Sequence, residues 1–344
     1  MNRILDQRLK PSNIIAPALG DEDEGYVPLP LRLLPADCEV PFSIFIKVKN
    51  KEDLDPTFTA VCSEGQAFHA AWHAQLGEMK VPWVYFLQDD EEKALGFIDH
   101  NLKNLLADDR LTNENKAALI YDITIIWMRH FYKAESFRTG QRVGLAMRYI
   151  DSLYDLINQD RTSSGFVMDI WRHEFSLYAH SLNLCLLGLA FVTYLGWTNL
   201  EARAFGMGAL LHDIGKTQVP GQILNKNSPL SPDEWDTIKR HPGVGFRMLK
   251  NFTGLRREVL LMVLQHHENG DGSGYPDGLK LDDIHPWARI LRILDGYEAR
   301  TSPRPWRNAF PPTNALWGMR EEWEKSTSYD PGYLKAFIKF LAGL

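Results

Sequence analysis

The 344-residue chain is 44% apolar and 24% charged, an ordinary composition for a globular protein. Its net charge of −6 argues against bulk attraction to DNA or anionic lipid, so we expect no DNA partner. The longest apolar run, 184–195, falls short of the roughly 20 residues that cross a bilayer, which predicts no membrane span. Three cysteines without paired spacing, and an N-terminus unlike a signal peptide, predict a cytoplasmic protein.

The first part of the chain predicts a small α/β domain over residues 1–108. Residues 1–40 are rich in proline and acid and predict an irregular entry. Alternating apolar residues predict a strand at 42–48, a partner strand is expected at 57–63 after a turn, and a strand with aromatic residues is expected at 81–87. Helices are expected over 66–79 and 91–106. No phosphate loop or cofactor motif occurs here, so we interpret this domain as sensory or regulatory, with an unknown ligand.

The middle of the chain, 109–162, predicts connecting helices. One apolar stripe steps by four and three residues, as on a single helix face. Its members are Val143, Met147, Ile150, Tyr154 and Ile157. Packing onto the next domain explains the stripe; a dimer seam is the alternative, although two heptads are too few for a coiled coil.

The last part, 163–344, predicts only helices and loops. Capping boxes begin helices at Thr198 and Ser231, and Pro242 is expected to stop the second of these helices. The whole chain is therefore predicted to be α+β, a small α/β domain followed by an all-α domain.

Histidines and aspartates in this last part predict a metal centre. Imidazole and carboxylate together suit Zn, Mn or Fe better than Ca or Mg. Singly, each residue has a plain explanation: His180 as a hydrogen-bonded core histidine, Asp295 as a partner of a nearby arginine, and His212-Asp213 as a helix end. Together the ligand candidates favour a two-metal hydrolytic centre, with Asp213 as the natural bridge because a carboxylate has two oxygens. The candidates are His180, His212, Asp213, His241, His266, His267 and Asp295.

Residues from about 165 to 344 resemble the HD-GYP family, HD-domain phosphohydrolases that hydrolyse cyclic di-GMP. The resemblance rests on His180, on the segments 212–216, 224–226, 241–242, 266–268 and 271–279, on 289–295, and on 301–305. It implies an HD-type helical domain and a metal-dependent phosphodiesterase that forms pGpG, or GMP, by attack of a metal-bridging hydroxide.

The resemblance also implies roles for individual residues. One ion would be held by His180, His212, Asp213 and Asp295, and the other by Asp213, His241, His266 and His267. The family suggests two divalent ions, Fe or Mn, and the ligand types also allow Zn. Lys216 and Asp213 would be catalytic, with Lys216 beside the leaving 3′ oxygen; a helix-dipole cap is the alternative for this lysine. The implied substrate contacts are Gly274, Tyr275, Arg304 and Arg307. Cyclic di-GMP is the implied small-molecule partner, and a second copy of the chain or a GGDEF-type signalling protein is a candidate protein partner.

Several positions depart from the family pattern. Ser176 stands where some members carry a glutamate for a third metal, which favours two metals. Asn269-Gly270 predicts an open pocket wall, Trp306 replaces a tyrosine and Arg300 replaces an apolar residue. These departures keep two alternatives: a cyclic di-GMP effector or protein-interaction module with little or no turnover, and another HD-type metal reaction.

Overall fold

The computed structural model describes residues 14, 25–49, 55–108, 111–131, 141–159, 177–224, 226, 228–303 and 307–343. Two compact units divide the chain, Met1–His130 and Phe131–Leu344. The first contains a sheet, and the regular elements in the described part of the second are helices, so the fold is α+β as expected. The finer division of the chain at 108 and 162 stays a prediction.

The first unit is built on an antiparallel sheet with the strand order β1-β6-β3-β4, beside a two-stranded sheet of β2 and β5. The strands predicted near 42–48, 57–63 and 81–87 are confirmed as β3, β4 and β6. The six strands are β1 (Tyr26–Pro30), β2 (Cys38–Glu39), β3 (Ile44–Val48), β4 (Thr57–Cys62), β5 (Ala67–Phe68) and β6 (Trp83–Leu87).

The prediction of an irregular entry over 1–40 is wrong for its later part. Pro28 and Pro30 lie within β1, which pairs with β6 along its full length. Proline lacks the backbone N–H that a central strand needs, and it is tolerated on an edge strand. The order of strands puts β1 at the edge of the sheet, which explains how a proline-rich segment can be a strand.

Three helices complete the first unit. They are α1 (Ala70–Glu78), α2 (Glu91–Leu106) and α3 (Asn113–Phe131). The prediction of 91–106 is confirmed, whereas 66–79 begins as the short strand β5. Arg32, in the turn after β1, forms an ion pair with the buried carboxylate of Asp122 on α3, which attaches α3 to the first unit.

The helices of the second unit begin with α4 (Gln141–Gln159), α5 (Leu177–Tyr194) and α6 (Asn199–Leu211). They continue with α7 (Gly221–Leu224), α8 (Pro232–Lys239), α9 (His241–Leu249), α10 (Arg257–Gln265), α11 (Pro286–Thr301), α12 (Pro312–Ser326) and α13 (Pro331–Ala342). Within the described ranges, α5 alone is long and apolar enough to cross a membrane, and 78% of that stretch is buried inside the protein. A helix so buried is equally typical of a protein core.

The apolar stripe on α4 packs against α6. Ile150 and Tyr154 are buried, and the Tyr154 hydroxyl donates to the Asn199 side chain at 2.7 Å. Arg203 of α6 bonds Asp151 and Asp155 at 2.8 Å each. This packing accounts for Ile150 and Tyr154; the side chain of Val143 lies outside the described residues.

Helix ends in the second unit follow their sequence signals. Both predicted capping boxes are present, at Thr198 with Glu201 and at Ser231 with Glu234. Pro242 differs from expectation: α8 ends at Lys239, and Pro242 lies in the first turn of a new helix, where its missing N–H costs no hydrogen bond. His241 is therefore the first residue of α9.

Candidate metal centre

The seven predicted ligands converge in the second unit as two adjoining groups. Within each group, one ligand atom per residue lies within 4.8 Å of the others. The first group is Asp213, His241, His266 and His267, and the second is His180, His212 and Asp295. Most are buried, and five segments far apart in sequence supply them.

Most of these ligands stand at the ends of helices. His212 and Asp213 follow α6, His241 begins α9, and His266 follows α10. The backbone departs from helical geometry just after such an end, as at Asp213 (φ −95°, ψ 7°), so neighbouring side chains can turn towards a common centre. His180 and Asp295 are the exceptions, since both lie within long helices.

Gly215 allows two of these segments to meet. A Cβ at this position would lie 2.0 Å from the carbonyl oxygen of His241 and 2.7 Å from the backbone nitrogen of Gly245. Only a residue without a side chain lets the backbone after Asp213 rest directly on α9. The glycine thereby fixes the separation between Asp213 and His241.

The tautomers of three histidines are fixed by local backbone. The Nδ1 atoms of His212, His241 and His266 lie 2.7, 2.8 and 2.9 Å from the carbonyl oxygens of the third residue before each. A carbonyl only accepts, so each Nδ1 carries the proton and each neutral ring keeps a lone pair on Nε2. All three Nε2 atoms approach Asp213, which is the orientation that metal ligation needs.

His180 is oriented instead by a buried carboxylate. Its Nδ1 lies 2.6 Å from Oε2 of Glu298, which is 1% exposed. Glu298 also accepts hydrogen bonds from Asn183 and Ser302, at 3.4 and 2.7 Å. The Nε2 of His180 thus points at Asp295, at 3.4 Å.

Asp213 lies between the two groups and presents one oxygen to each. Its Oδ1 lies 3.1 and 3.6 Å from Nε2 of His241 and His266. Its Oδ2 lies 3.3 and 3.8 Å from Nε2 of His212 and His180, and 2.6 Å from Nζ of Lys216. This division of oxygens is the arrangement expected of a bridging carboxylate.

Two observations indicate that this site is suited to bind metal ions. Oδ1 of Asp213 is fully buried yet accepts no well-aligned hydrogen bond from the described residues, a costly state for a carboxylate oxygen. Nε2 of His241 and Nε2 of His266 face each other at 3.1 Å, although neither neutral ring has a proton there to donate. Metal–ligand bonds of about 2.1 Å allow ligand separations up to about 4.2 Å, which covers the contacts around Asp213.

Burial and neighbouring charges shift the pKa values of these groups. Burial lowers the pKa of His266 to about 4, and lowers those of His241 and His267. Burial would also lower the pKa of His180, but Glu298 and Asp295 outweigh it and raise that pKa to about 9. Burial opposes ionisation of Asp213, yet His212 and Lys216 hold its pKa well below the usual range. The site keeps most imidazoles neutral and both aspartates ionised, the protonation states that metals bind.

The pKa shifts predict how acid affects the metal-free protein. Unfolded histidines protonate near pH 6.5, whereas folded His266, His267 and His241 resist protonation to lower pH. The unfolded state therefore binds more protons below about pH 6.5, and we expect stability to fall as the pH drops from about 6.5 to about 4. His180 contributes in the opposite sense: its stabilisation is complete below pH 6.5 and is lost as the pH rises through about 9. Urea unfolding of chelator-treated protein at pH 4.5, 7.5 and 9.5 measures this, and equal stability at 4.5 and 7.5 would contradict it.

Glu298 gives a second prediction. Glu298→Gln keeps the shape but removes the charge that holds the Nδ1 proton of His180. We expect metal affinity to fall about 10- to 100-fold, the usual effect of losing such an outer partner. Titration with Mn²⁺ measures it against the matched surface variant Glu324→Gln, whose carboxylate is 48% exposed. Equal affinities in the two variants would show that Glu298 does not orient the ligand.

A cleft of about 470 Å³ opens beside the cluster. His267 and Asp295 lie in its wall with Gly274 and Tyr275, two of the predicted substrate contacts. The Tyr275 ring centre is 4.7 Å from that of His267, and burial, with Asp213 and Asp295 nearby, raises the pKa of Tyr275. A Cβ at Gly274 would lie 2.3 Å from the backbone nitrogen of Asn269, so only glycine lets this loop fold over the cluster.

The other predicted contacts are placed differently. The guanidinium of Arg307 donates to the carbonyls of Ala299 and Arg300 at the end of α11 and lies over the ring of Phe310. Its role in substrate binding stays a prediction, as does that of Arg304. Arg304, Trp306 and Ser176 all lie outside the described residues.

The pocket wall that was predicted to be open at Asn269-Gly270 is closed by neighbouring residues. Asn269 accepts a hydrogen bond from Nε of Arg292 at 3.1 Å. Gly270 donates to the carbonyl of Ser328 at 3.1 Å, and a Cβ there would lie 2.8 Å from the carbonyl of Thr327. The segment before α13 therefore closes this wall.

Sequence reasoning missed several residues of the site. Glu298 orients His180, while Arg292, Trp235 and Lys239 line the cleft. Glu298 had a signal, because it lies one helical turn after Asp295 on an apolar helix. Trp235 and Lys239 come from α8, and no local pattern joins them to the cluster.

Comparison with known proteins agrees with this geometry. Residues 173–332 match the family described as HD domain. Over 162 residues the chain is 38% identical to a cyclic di-GMP phosphodiesterase, PA4108, from Pseudomonas aeruginosa, covering 47% of this chain and 38% of that protein. It is 36% identical over 151 residues to the cyclic di-GMP phosphodiesterase response regulator RpfG from Xanthomonas campestris, covering 44% of this chain and 39% of that protein. The matched part thus spans about two fifths of these curated relatives.

A solved structure extends the similarity in fold over more of the chain. Bd1817, an HDG"Y"P protein from Bdellovibrio bacteriovorus, aligns with a TM-score of 0.67 and 19% identity. The alignment covers 92% of this chain and 99% of that one. At 19% identity, this similarity supports a shared fold and carries no conclusion about function.

Proposed function

From the premise that residues 173–332 belong to the HD-GYP family of HD-domain proteins, we propose that this chain is a metal-dependent phosphodiesterase that hydrolyses cyclic di-GMP. In this reaction water adds to one phosphorus, the P–O3′ bond breaks, and the 3′ oxygen gains a proton. The product is the linear dinucleotide pGpG, which a second round would convert to GMP. The names of the curated relatives support cyclic di-GMP as the substrate.

The position of Asp213 is the observation that carries this proposal. Its Oδ1 and Oδ2 face two different sets of imidazoles, and two residues of the cluster, His267 and Asp295, line a cleft. We propose that His180, His212, Asp213 and Asp295 hold one divalent ion, and that Asp213, His241, His266 and His267 hold the other. Ions bound there would supply an activated water and neutralise charge on the phosphate. Iron or manganese is the proposed metal, and the ligand types also fit zinc.

Residues of the cleft would bind and orient the substrate. Trp235, 46% exposed, and Tyr275 offer aromatic faces, and stacking on such rings holds a nucleobase by about 1–3 kcal/mol. Lys216, with 22% of its side chain exposed, lies beside Asp213 and is the proposed source of positive charge and a proton for the leaving 3′ oxygen. The Nδ1 atoms of His212, His241 and His266 donate to backbone carbonyls and that of His180 donates to Glu298, so proton transfer is left to groups at the cleft surface.

The cellular setting follows from the same premise. We propose a cytoplasmic signalling protein, which is supported by three free thiols and by the burial of α5. A second copy of the chain and a GGDEF-type protein stay proposed partners, and the first unit stays a proposed regulatory domain with an unknown ligand.

Product analysis tests the proposed activity. Protein purified without oxygen and loaded with Mn²⁺ or Fe²⁺ is incubated with cyclic di-GMP, and products are separated by chromatography. We expect pGpG to form, and a panel with cyclic dinucleotides containing adenine to identify the preferred substrate. Metal-loaded protein that releases no product from any of them would refute the enzymatic function.

A non-enzymatic effector is the second candidate, and the placement of Arg307 favours it. The guanidinium of Arg307 donates hydrogen bonds to two backbone carbonyls and is not directed into the cleft. Tight cyclic di-GMP binding without product in the same experiment would support this candidate.

A further inference from the structure

Two arginines stand in the cleft wall on the helix that carries Asp295. The cleft face of α11 consists of residues spaced three or four apart, as one helix face requires. Its members are Arg292, Asp295, Gly296, Ala299 and Arg300. Arg292 and Arg300 thus stand on either side of a proposed metal ligand, about 4.5 and 7.5 Å along the helix axis.

Contacts with neighbouring side chains hold Arg292 in a fixed orientation in this wall of the cleft. Its Nε donates to the Asn269 side chain at 3.1 Å, and its guanidinium lies over the ring of Tyr329, 4.9 Å from the ring centre. The side chain is 18% exposed, and its Nη2 is 3.5 Å from Oε1 of Glu322. Such contacts position an arginine before a ligand arrives.

Arg300 reaches the same carboxylate from the other side. Its Nη2 lies 2.5 Å from Oε2 of Glu322, and its Nη1 donates to the carbonyl of Gly296 at 2.8 Å. The Tyr329 hydroxyl donates to the same Oε2 at 3.0 Å. Although the two arginines are more than two turns apart, Glu322 draws their guanidinium groups together.

The charges of this group do not balance. Among the described residues, the guanidinium groups of Arg292 and Arg300 share the single carboxylate of Glu322, which leaves one positive charge in excess. Asp295, the other acid on this face, is a proposed metal ligand, so its charge offsets that of the ion. Lys239, also in the wall, has its own partner in Asp236 at 2.6 Å. A partly buried cation in excess is stabilised by an anion, and a phosphodiester carries one negative charge.

We infer that Arg292 and Arg300, held by Glu322, form an anion subsite that binds the second phosphate of a cyclic dinucleotide while the first lies at the metal cluster. This inference rests on the proposed function, because it concerns how the same cleft positions its substrate. Arginine suits the task because its planar fork is pre-organised for phosphate oxygens. The arginines act as positioning residues, and a substrate with one phosphate gains less from them.

Binding of cyclic di-GMP to Mn²⁺-loaded protein, measured by calorimetry at low and high salt, tests the subsite. A charged hydrogen bond contributes about 1.5–3 kcal/mol, so we expect Arg292→Gln and Arg300→Gln each to weaken binding about 10- to 100-fold. Glu322→Gln removes the competing charge but keeps an oxygen acceptor. It is expected to tighten binding about threefold at low salt, an effect that salt screens. Arg320→Gln, which changes a 57% exposed arginine on α12, is the matched control.

Kinetics with two substrates separate positioning from folding. For cyclic di-GMP we expect the arginine variants to raise KM more than they lower kcat. The rise in KM should be smaller for bis(p-nitrophenyl) phosphate, which has a single phosphate. If the arginines only join α11 to α12, both substrates suffer equally, the melting temperature falls, and Glu322→Gln weakens binding. Those results would overturn the inference.

The outcomes for subsite and activity are distinguishable. Wild-type protein that binds cyclic di-GMP without cleaving it refutes hydrolysis and leaves the binding comparison intact. Equal binding by wild type and both arginine variants refutes the subsite while hydrolysis stands. A wild type that binds no cyclic di-GMP also refutes the subsite.

Discussion

Asp213→Ala is expected to reduce the metal content from two ions per chain to less than one and to abolish hydrolysis. Both proposed ion positions share this carboxylate, since Oδ1 faces His241 and His266 while Oδ2 faces His212 and His180. Without it, the ion at His241, His266 and His267 has no anionic ligand left, and the other ion keeps Asp295 but loses one ligand. Loss of a shared ligand therefore affects both ions, whereas loss of any one histidine affects a single ion.

Elemental analysis of anaerobically purified protein measures the first effect and product chromatography the second. We expect turnover to fall at least about 10³-fold, because the residual rate would lack metal assistance. Asp155→Asn is the matched control, since its carboxylate is 59% exposed and pairs with Arg203 on the surface. An alanine variant that still holds two ions per chain would refute the bridging assignment.

Gly215→Ala is expected to destabilise the second unit by at least about 3 kcal/mol and to lower metal content as well. Overpacking usually costs about 1–3 kcal/mol, and here the added methyl meets backbone on both sides. The carbonyl of His241 would lie 2.0 Å away and the nitrogen of Gly245 2.7 Å away, and neither can rotate aside. Relief requires α9 to move, which carries His241 away from Asp213.

Gly208→Ala tests whether the backbone obstacle matters. Its added methyl would lie 2.4 Å from Sδ of Met262, a flexible side chain that can change rotamer. We expect a smaller loss of stability and unchanged metal content. Urea unfolding and elemental analysis of the two variants provide the comparison, and equal effects in both would argue against a special role for the contact at Gly215.

Much of the site could be predicted from sequence because its ligands lie in short, recognisable segments. Asp213 could be predicted as the bridging ligand because a carboxylate has two oxygens, and this role stays a proposal. Glu298 was missed because its role depends on His180, 118 residues away, and helix periodicity alone marks it only as another acid near Asp295. Arg307 shows the reverse: its residue type suits phosphate, but its guanidinium donates to backbone carbonyls at the end of α11.

The fold could be predicted where the apolar periodicity is strong. It was harder to predict at prolines, because a proline can break an element, lie in an edge strand or begin a helix. The helix over 91–106 was located from its pattern, and the hairpin of β3 and β4 from alternation. Pro28 and Pro30 were interpreted as breaking regular structure, but an edge strand accepts them. Pro242 was interpreted as a helix stop, whereas the same lack of an N–H suits a helix start.

The anchoring of the imidazoles makes tolerance to mutation uneven around the centre. Main-chain oxygens of Ala209, Ile238 and Val263 fix three rings, so those positions can change side chain without altering the tautomer of the ring they hold. Residue 298 must remain an acid, because the carboxylate of its own side chain orients His180. A designer who transplants this centre to another scaffold would need three helix ends and one buried acid.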